Sequence, residues 1–256
     1  MRVLRSKGMI MLSQAILQKL RQFDTPTICN LIELFDVRPR TAGYMDARIM
    51  AAFPELPPIV GFAATATHRT GAPPRRGDAY GDLGEQVERF AALSGPPIVV
   101  FQDLDDPALA ATFGEVMCTV YQAFGAVGLI TSGAGRDLEQ VRAIGFPVLT
   151  NGTICSHGYN HIPQIHVPVR VGGLTVFPDD LLHADRNGIT TIPVEIAGEV
   201  ADVGDEFVAA ETIVLGAMRK GAPTPAILAA ARAEMAAQVQ QLTRRVSRSD
   251  KGRHDG

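Results

Sequence analysis

The sequence predicts an α/β fold, a mixed central sheet flanked by helices, and two stretches of it carry that prediction. Between residues 96 and 150, strand-like apolar runs alternate with helical periodicity: PPIVVF, FGEVMCTVYQAFG, AVGLIT, DLEQVRAIG and FPVLT. Alternation of this kind implies parallel strands joined by right-handed crossovers. After Asn151-Gly152 the chain turns β-rich, because HVPVRV, LTVF and ITTIPV are short strands separated by Gly172-Gly173 and Asn187-Gly188, both hairpin-type turns.

The remaining elements follow in order. With 256 residues and 46% hydrophobic side chains the chain can bury a substantial core, and one domain over residues 11–222 accounts for it. Residues 1–10 read as a non-structural extension, with Met9 or Met11 as alternative starts. Two short helices open the domain, the second with Thr25 as N-cap and Pro26 at its first position. The Pro-rich stretch 54–58 breaks the chain before IVGFAATATH, a buried strand. TGAPPRRGDAYG is a loop long enough to be mobile, and LGEQVERFAAL is a helix. Beyond the β-rich part comes a helix through EFVAAETIVLGAMRK, then an Ala-rich helix over 223–242 whose small-residue face suits packing on another subunit. The Arg-rich end, 243–256, lacks apolar periodicity and is expected to be disordered.

Composition narrows the function. A net charge of -3 gives no basic field for nucleic acid, which leaves a small molecule as the expected partner. No apolar run approaches the roughly 18 residues needed to cross a bilayer, and the start is too weakly apolar for a signal peptide. Cys29, Cys118 and Cys155 are odd in number and far apart, which suits a reducing, cytoplasmic location.

The chemistry concentrates at two consecutive βα junctions. A helix starting at Gly114 presents the amides of residues such as Val116 and Met117 to a carboxylate or keto-acid oxygen, and Gly114 would let the ligand approach. The turn SGAGRD delivers Arg136 and Asp137 to the same edge of the sheet, where open α/β sheets bind ligands. Amides and a guanidinium grip an anion, one carboxylate suits a hard divalent cation, and Glu115 could hold a water or accept a proton. The lysines are Lys7, Lys19, Lys220 and Lys251, so no Schiff-base lysine falls in the central motifs and C–C cleavage would need metal.

Blander readings stand beside these. Asp137 with Gln140 fits a capping box, Arg136 a surface ion pair, Glu115 a first-turn acid, and Gly114, Gly133 and Gly135 turn formers. His157 and His161 have HxxxH spacing near Cys155, but Gly158 and Pro163 argue for a loop and against a zinc site. His166 and His183 fall in expected strands.

GEVMCTVYQAFGAVGLITSGAGRDLEQVRAIGFPVLTNG resembles the RraA-like / HMG aldolase family. The similarity begins at FDTPTICNLIELF and PPIVGFAATATH and continues through VPVRVGGLTVFPDDLLHADRNGITTIP. It implies a β/β/α swivelling-domain fold, homotrimers or homohexamers with sites at subunit boundaries, and Mg²⁺ or Mn²⁺ as cofactor. Gly114, Glu115, Val116, Met117 and Arg136 would then bind substrate, Asp137 would lead to the metal, and Arg136, Glu115 and Glu211 would be catalytic. Glu211 would come from a neighbouring subunit. Ser132, Asn30 and Asp179 depart from the family pattern, as does CSHGYNHIPQIH.

The resemblance implies a divalent-metal-dependent lyase that cleaves a C–C bond of a short 2-oxo acid and releases pyruvate. It would act as a 4-hydroxy-4-methyl-2-oxoglutarate aldolase or oxaloacetate decarboxylase. The alternatives are a non-enzymatic regulator binding a ribonuclease, and a sugar-acid enzyme of unassigned reaction.

Overall fold

The computed structural model describes residues 12–74 and 79–248. The expected extension at 1–10, residues 75–78 of the Gly/Pro/Arg loop and the chain from 249 lie outside the described residues. Helices α1 (Gln14–Leu20) and α2 (Thr25–Glu33) open the fold, followed by β1 (Met50–Ala51), β2 (Ile59–Arg69) and α3 (Ala79–Glu88). The centre comprises β3 (Pro97–Asp103), β4 (Ala111–Phe113), α4 (Glu115–Ala123), β5 (Gly128–Thr131), β6 (Ala134–Gly135), α5 (Leu138–Ala143) and β7 (Val148–Thr150). Then come β8 (His161–Ile165), β9 (Val169–Val171), β10 (Leu174–Val176), β11 (Leu181–Asp185), β12 (Gly188–Thr191), α6 (Ala197–Arg219) and α7 (Pro225–Val246).

The architecture is α/β with a mixed main sheet, as expected. Its order is β1-β7-β5-β3-β2-β11-β12, and β2, β3, β5 and β7 run parallel. β2 is long enough to serve two partners on the side away from β3: β11 pairs Ile59 to Phe62, and β8 pairs its far end from Ala66 to Arg69. The Gly172-Gly173 turn closes the β9–β10 hairpin. A β4–β6 parallel pair sits apart from the main sheet, above the ends of β3 and β5. Among the described residues no helix is long and apolar enough to cross a membrane.

Three apolar clusters hold these layers together. α1, α2 and α6 pack Leu20, Ile28, Leu31, Val200 and Phe207 against Phe62 and Leu181. α4 and α5 cover β3 and β5 through Met117, Tyr121, Val141, Phe101 and Leu129. The third cluster joins the β9–β10 hairpin to the sheet through Val169, Val171, Ile98 and Ile130. Full burial of such side chains contributes about 1.5–3 kcal/mol each before chain entropy is counted.

Several local expectations are corrected. Asp24, not Thr25, caps α2, its Oδ1 accepting from Thr27 N at 2.9 Å, while the Thr25 hydroxyl turns inward to His183 Nδ1 at 2.9 Å. The CSHGYNHIPQIH segment is not all loop, because its second half forms β8. Pro163 is tolerated there because it is exposed and falls where the β2–β8 register slips. His166 lies just past that strand at φ 59°. The last helix runs to Val246 rather than 242, because Leu242 and Val246 are buried against the helical layer, and Arg248 N donates to Phe35 O at 2.9 Å.

Candidate active site

The β4–β6 pair explains how two βα units meet. β4 delivers Phe113 and Gly114 to the start of α4, and β6 runs alongside it into Arg136 and Asp137. Arg136 N donates to Phe113 O at 3.0 Å, which fixes the two junctions against each other. Sequence periodicity could not find these strands, since three and two residues are too short to carry one. Residues 104–113, with β4 at their end, separate β3 from the start of α4.

Asp137 does not cap its own helix. It occupies the N-cap position of α5 at φ 54°, in the left-handed region, and makes no side-chain cap bond there. Its Oδ2 instead accepts from Glu115 N, the first amide of α4, at 3.1 Å, and lies 3.6 Å from Arg136 Nε. The next amides of α4, those of Val116 and Met117, precede the point where helical acceptors become available, so they remain donors for a ligand. A non-glycine residue held left-handed costs conformational energy, and here that conformation aims a carboxylate across to a neighbouring helix.

The glycines are close-approach positions more than turn formers. Gly114 has an extended backbone, yet a Cβ there would stand 2.5 Å from Asp137 Oδ2 and 3.1 Å from Arg136 Nε. The space expected for a ligand over Gly114 is therefore filled by Asp137. Gly133 and Gly135 are pressed against Asp103 with Thr112, and against the Phe113 ring.

A cleft opens beside this junction, lined by Leu83, Phe113, Val116, Met117, Arg136 and two residues of the divergent CSHGYNHIPQIH segment, His157 and Asn160. Asn160 Oδ1 is hydrogen-bonded to His68 Nε2 at the end of β2. His68 is fully buried, and burial pushes its imidazole down to about 4. It is therefore neutral near pH 7, and Nε2–H is the donor to the amide oxygen. Glu115 is exposed at the head of α4, and its carboxylate is not part of the lining.

Glu211 is not brought to the cleft by its own chain. It lies on α6, which packs on α1, α2 and α7, where burial and the nearby Asp24 raise its carboxyl. Behind the β4–β6 pair, Asp103 is nearly buried, and its carboxyl is raised to about 6 chiefly by loss of water. The ring Nδ1 atoms of His157 and His161 engage the backbone carbonyls of Gly158 and Tyr159, both at 2.8 Å.

Among the described residues no three His, Cys, Asp or Glu side chains gather as a metal cage. The residues at the junction still fit a Mg²⁺-like ion. Such ions keep several waters and use one or two carboxylates plus substrate oxygens. Asp137, with a side chain about one third exposed and Oδ2 engaged by Glu115 N, offers that single carboxylate.

A family model described as RraA-like, Aldolase/RraA, matches residues 25–191. A Halalkalibacterium halodurans protein provisionally named 4-hydroxy-4-methyl-2-oxoglutarate aldolase is 31% identical over 105 residues, 41% of this chain and 49% of that protein. Protein DlpA of Legionella pneumophila is 29% identical over 130 residues, 50% of this chain and 20% of DlpA. The chain thus spans about half of the first relative and a fifth of the second. In fold, it matches a protein of Pseudomonas syringae with TM-score 0.68 and 19% identity, covering 90% of this chain and 99% of that one. It also matches Streptomyces coelicolor RraAS2, titled a member of the RNase ES inhibitor RraA family, with TM-score 0.63 and 22% identity, covering 82% and 99%.

Proposed function

The chain belongs to the RraA-like (Aldolase/RraA) family, and from that premise we propose that it is a divalent-metal-dependent lyase that cleaves a C–C bond of a short 2-oxo acid and releases pyruvate. The observation that carries this reading is that Arg136 and the first residues of α4 line one cleft, with the Asp137 carboxylate bonded to Glu115 N and beside Arg136 at its edge. The aldolase name of the Halalkalibacterium relative supports the class of reaction. The substrates in view are 4-hydroxy-4-methyl-2-oxoglutarate and oxaloacetate.

Each residue has a defined task in this proposal. The Arg136 guanidinium pairs with the 2-oxo acid and stays beside its keto oxygen as negative charge develops there. The amides of Val116 and Met117 orient the carboxylate, and the apolar walls from Leu83, Phe113 and Met117 limit water around the reacting carbons. Asp137 would hold Mg²⁺ or Mn²⁺, which when bound supplies Lewis-acid polarisation of the keto oxygen. Glu115, exposed above α4, would hold a water that takes the 4-hydroxyl proton as the C–C bond of a hydroxy acid parts and returns H⁺ to the methylene carbon; with oxaloacetate, CO₂ leaves and the same water supplies the proton.

Glu211 would enter from a neighbouring subunit of a homotrimer or hexamer. The exposed apolar residues of the closing helices, Leu215, Ile227 and Leu228, support such an assembly. Three free thiols support a reducing, cytoplasmic setting.

The test is pyruvate release from oxaloacetate and 4-hydroxy-4-methyl-2-oxoglutarate, with Mg²⁺, with Mn²⁺ and with EDTA. Turnover abolished by EDTA supports the proposal. Silence on both acids with either metal sinks it and turns attention to the ribonuclease-binding reading.

A further inference from the structure

The cleft carries a second polar feature beyond Arg136 and the α4 amides. Asn160 enters its lining from the segment just before β8, and that segment is anchored from both sides. Ser156 O accepts from Ala111 N at 2.7 Å, and Tyr159 N donates to Thr70 O at 2.9 Å. Gly158, at φ 51°, is pressed against Thr70 O, so a side chain there would displace the segment. Asn160 thus stands on a fixed backbone and not on a loose loop.

Its side chain is fixed as well. The amide oxygen is bonded by the imidazole of His68, which is fully buried and leans edge-on against Phe101 with ring centroids 5.5 Å apart. A carboxamide whose oxygen is held inward presents its NH₂ group outward. The cleft therefore presents side-chain donors from separate walls, the Arg136 guanidinium and the Asn160 amide, beside His157 and the apolar side chains of Val116 and Met117. A ligand with anionic oxygen at both ends and a short carbon chain between them matches that arrangement.

We infer that Asn160, oriented by His68, is a specificity-determining donor for the far carboxylate of the substrate, so that the site selects 2-oxo diacids over 2-oxo monoacids. This rests on the reading of the cleft as a 2-oxo acid site. Asn160 touches the substrate beyond the bond that breaks, and His68 is a positioning residue that acts only through Asn160. Loss of a hydrogen bond to a charged group weakens binding by about tenfold or more, and a ligand without the far carboxylate should not register that loss.

The test compares binding of pyruvate and of 2-oxoglutarate by titration calorimetry in the presence of Mn²⁺. The latter carries the far carboxylate and lacks the 4-hydroxyl group that retro-aldol cleavage requires. Wild type should prefer 2-oxoglutarate. Asn160→Ala should weaken 2-oxoglutarate about tenfold and leave pyruvate within about twofold. His68→Leu should mimic that loss, while His68→Gln, which keeps an N–H near the position of Nε2, should restore most of the preference. Thermal unfolding of each variant separates a positioning effect from a folding defect, and Asn160→Ala stands even if His68→Leu does not fold. Equal weakening of both acids, no weakening, or a wild type without preference overturns the inference while leaving the 2-oxo acid site intact. A wild type that binds neither acid overturns that site reading and this inference with it.

Discussion

Asp137 caps the helix of the preceding βα unit: its Oδ2 accepts from Glu115 N at 3.1 Å although Asp137 begins a different helix, α5. Structure and chemistry are thereby combined in one carboxylate, and substitution can separate them. Asp137→Asn retains an acceptor for Glu115 N and tolerates the left-handed backbone, so its melting temperature should stay close to wild type. Asp137→Ala should lose about 1 kcal/mol as the cap disappears. Both should lose about 100-fold or more in pyruvate release, because neither supplies an anionic oxygen for the metal. An active Asp137→Asn would remove the carboxylate from the chemistry.

Gly114→Ala probes the same junction without touching a functional group. The new methyl would stand 2.5 Å from Asp137 Oδ2 and must push it away from Glu115 N. Displacement of a catalytic group by about 1 Å can cost on the order of 100-fold in rate. We expect such a loss in kcat together with about 1 kcal/mol of stability as the Glu115 N cap is displaced, measured by steady-state kinetics and calorimetric melting.

Gly135→Ala should act on the fold instead. Its Cβ would run into the Phe113 ring, which is fully enclosed between the two βα units. Overpacking of this kind costs about 1–3 kcal/mol, read as a lower urea midpoint.

Proton linkage gives a prediction with opposing parts. Burial holds the imidazoles of His68 and His183 down at about 4, so the unfolded chain, with histidines near 6.5, binds more protons than the folded one between those values. Their contribution is complete above pH 6.5 and is lost as pH falls toward 4. Asp103, raised to about 6, works in the other direction: the folded chain keeps its proton where the unfolded one has released it. Asp103→Asn should therefore stabilise the protein by about 1–2 kcal/mol at pH 7.5, with the gain shrinking as pH drops through 6. Denaturant titrations at pH 7.5 and 5 check this, and a gain that grows on acidification would refute it.

The sequence made the central α/β unit legible because PPIVVF, AVGLIT and FPVLT are continuous buried runs separated by amphipathic helices. The hairpin at Gly172-Gly173 was equally plain, since two consecutive glycines with positive φ suit a tight turn. What stayed hidden had no periodic signal. β4 and β6 are too short for one, and β8 was disguised by Gly158 and Pro163. At the site, Arg136 and the α4 amides followed from the order of strands and helices. The cross-helix bond from Asp137 to Glu115 N did not, because the capping-box spacing with Gln140 offered a local partner that the left-handed backbone rejects. The pairing of His68 with Asn160 joins residues 92 apart in sequence, and only the β2–β8 register brings them together.

The most direct measurement is metal-supported pyruvate release from oxaloacetate by wild type beside Arg136→Ala and Asp137→Asn, with melting curves for all three. A shared cleft at the Arg136–Asp137 junction predicts EDTA-sensitive turnover in wild type and its loss in both folded variants. Wild-type turnover that survives in either variant would contradict it and place the chemistry elsewhere on the protein.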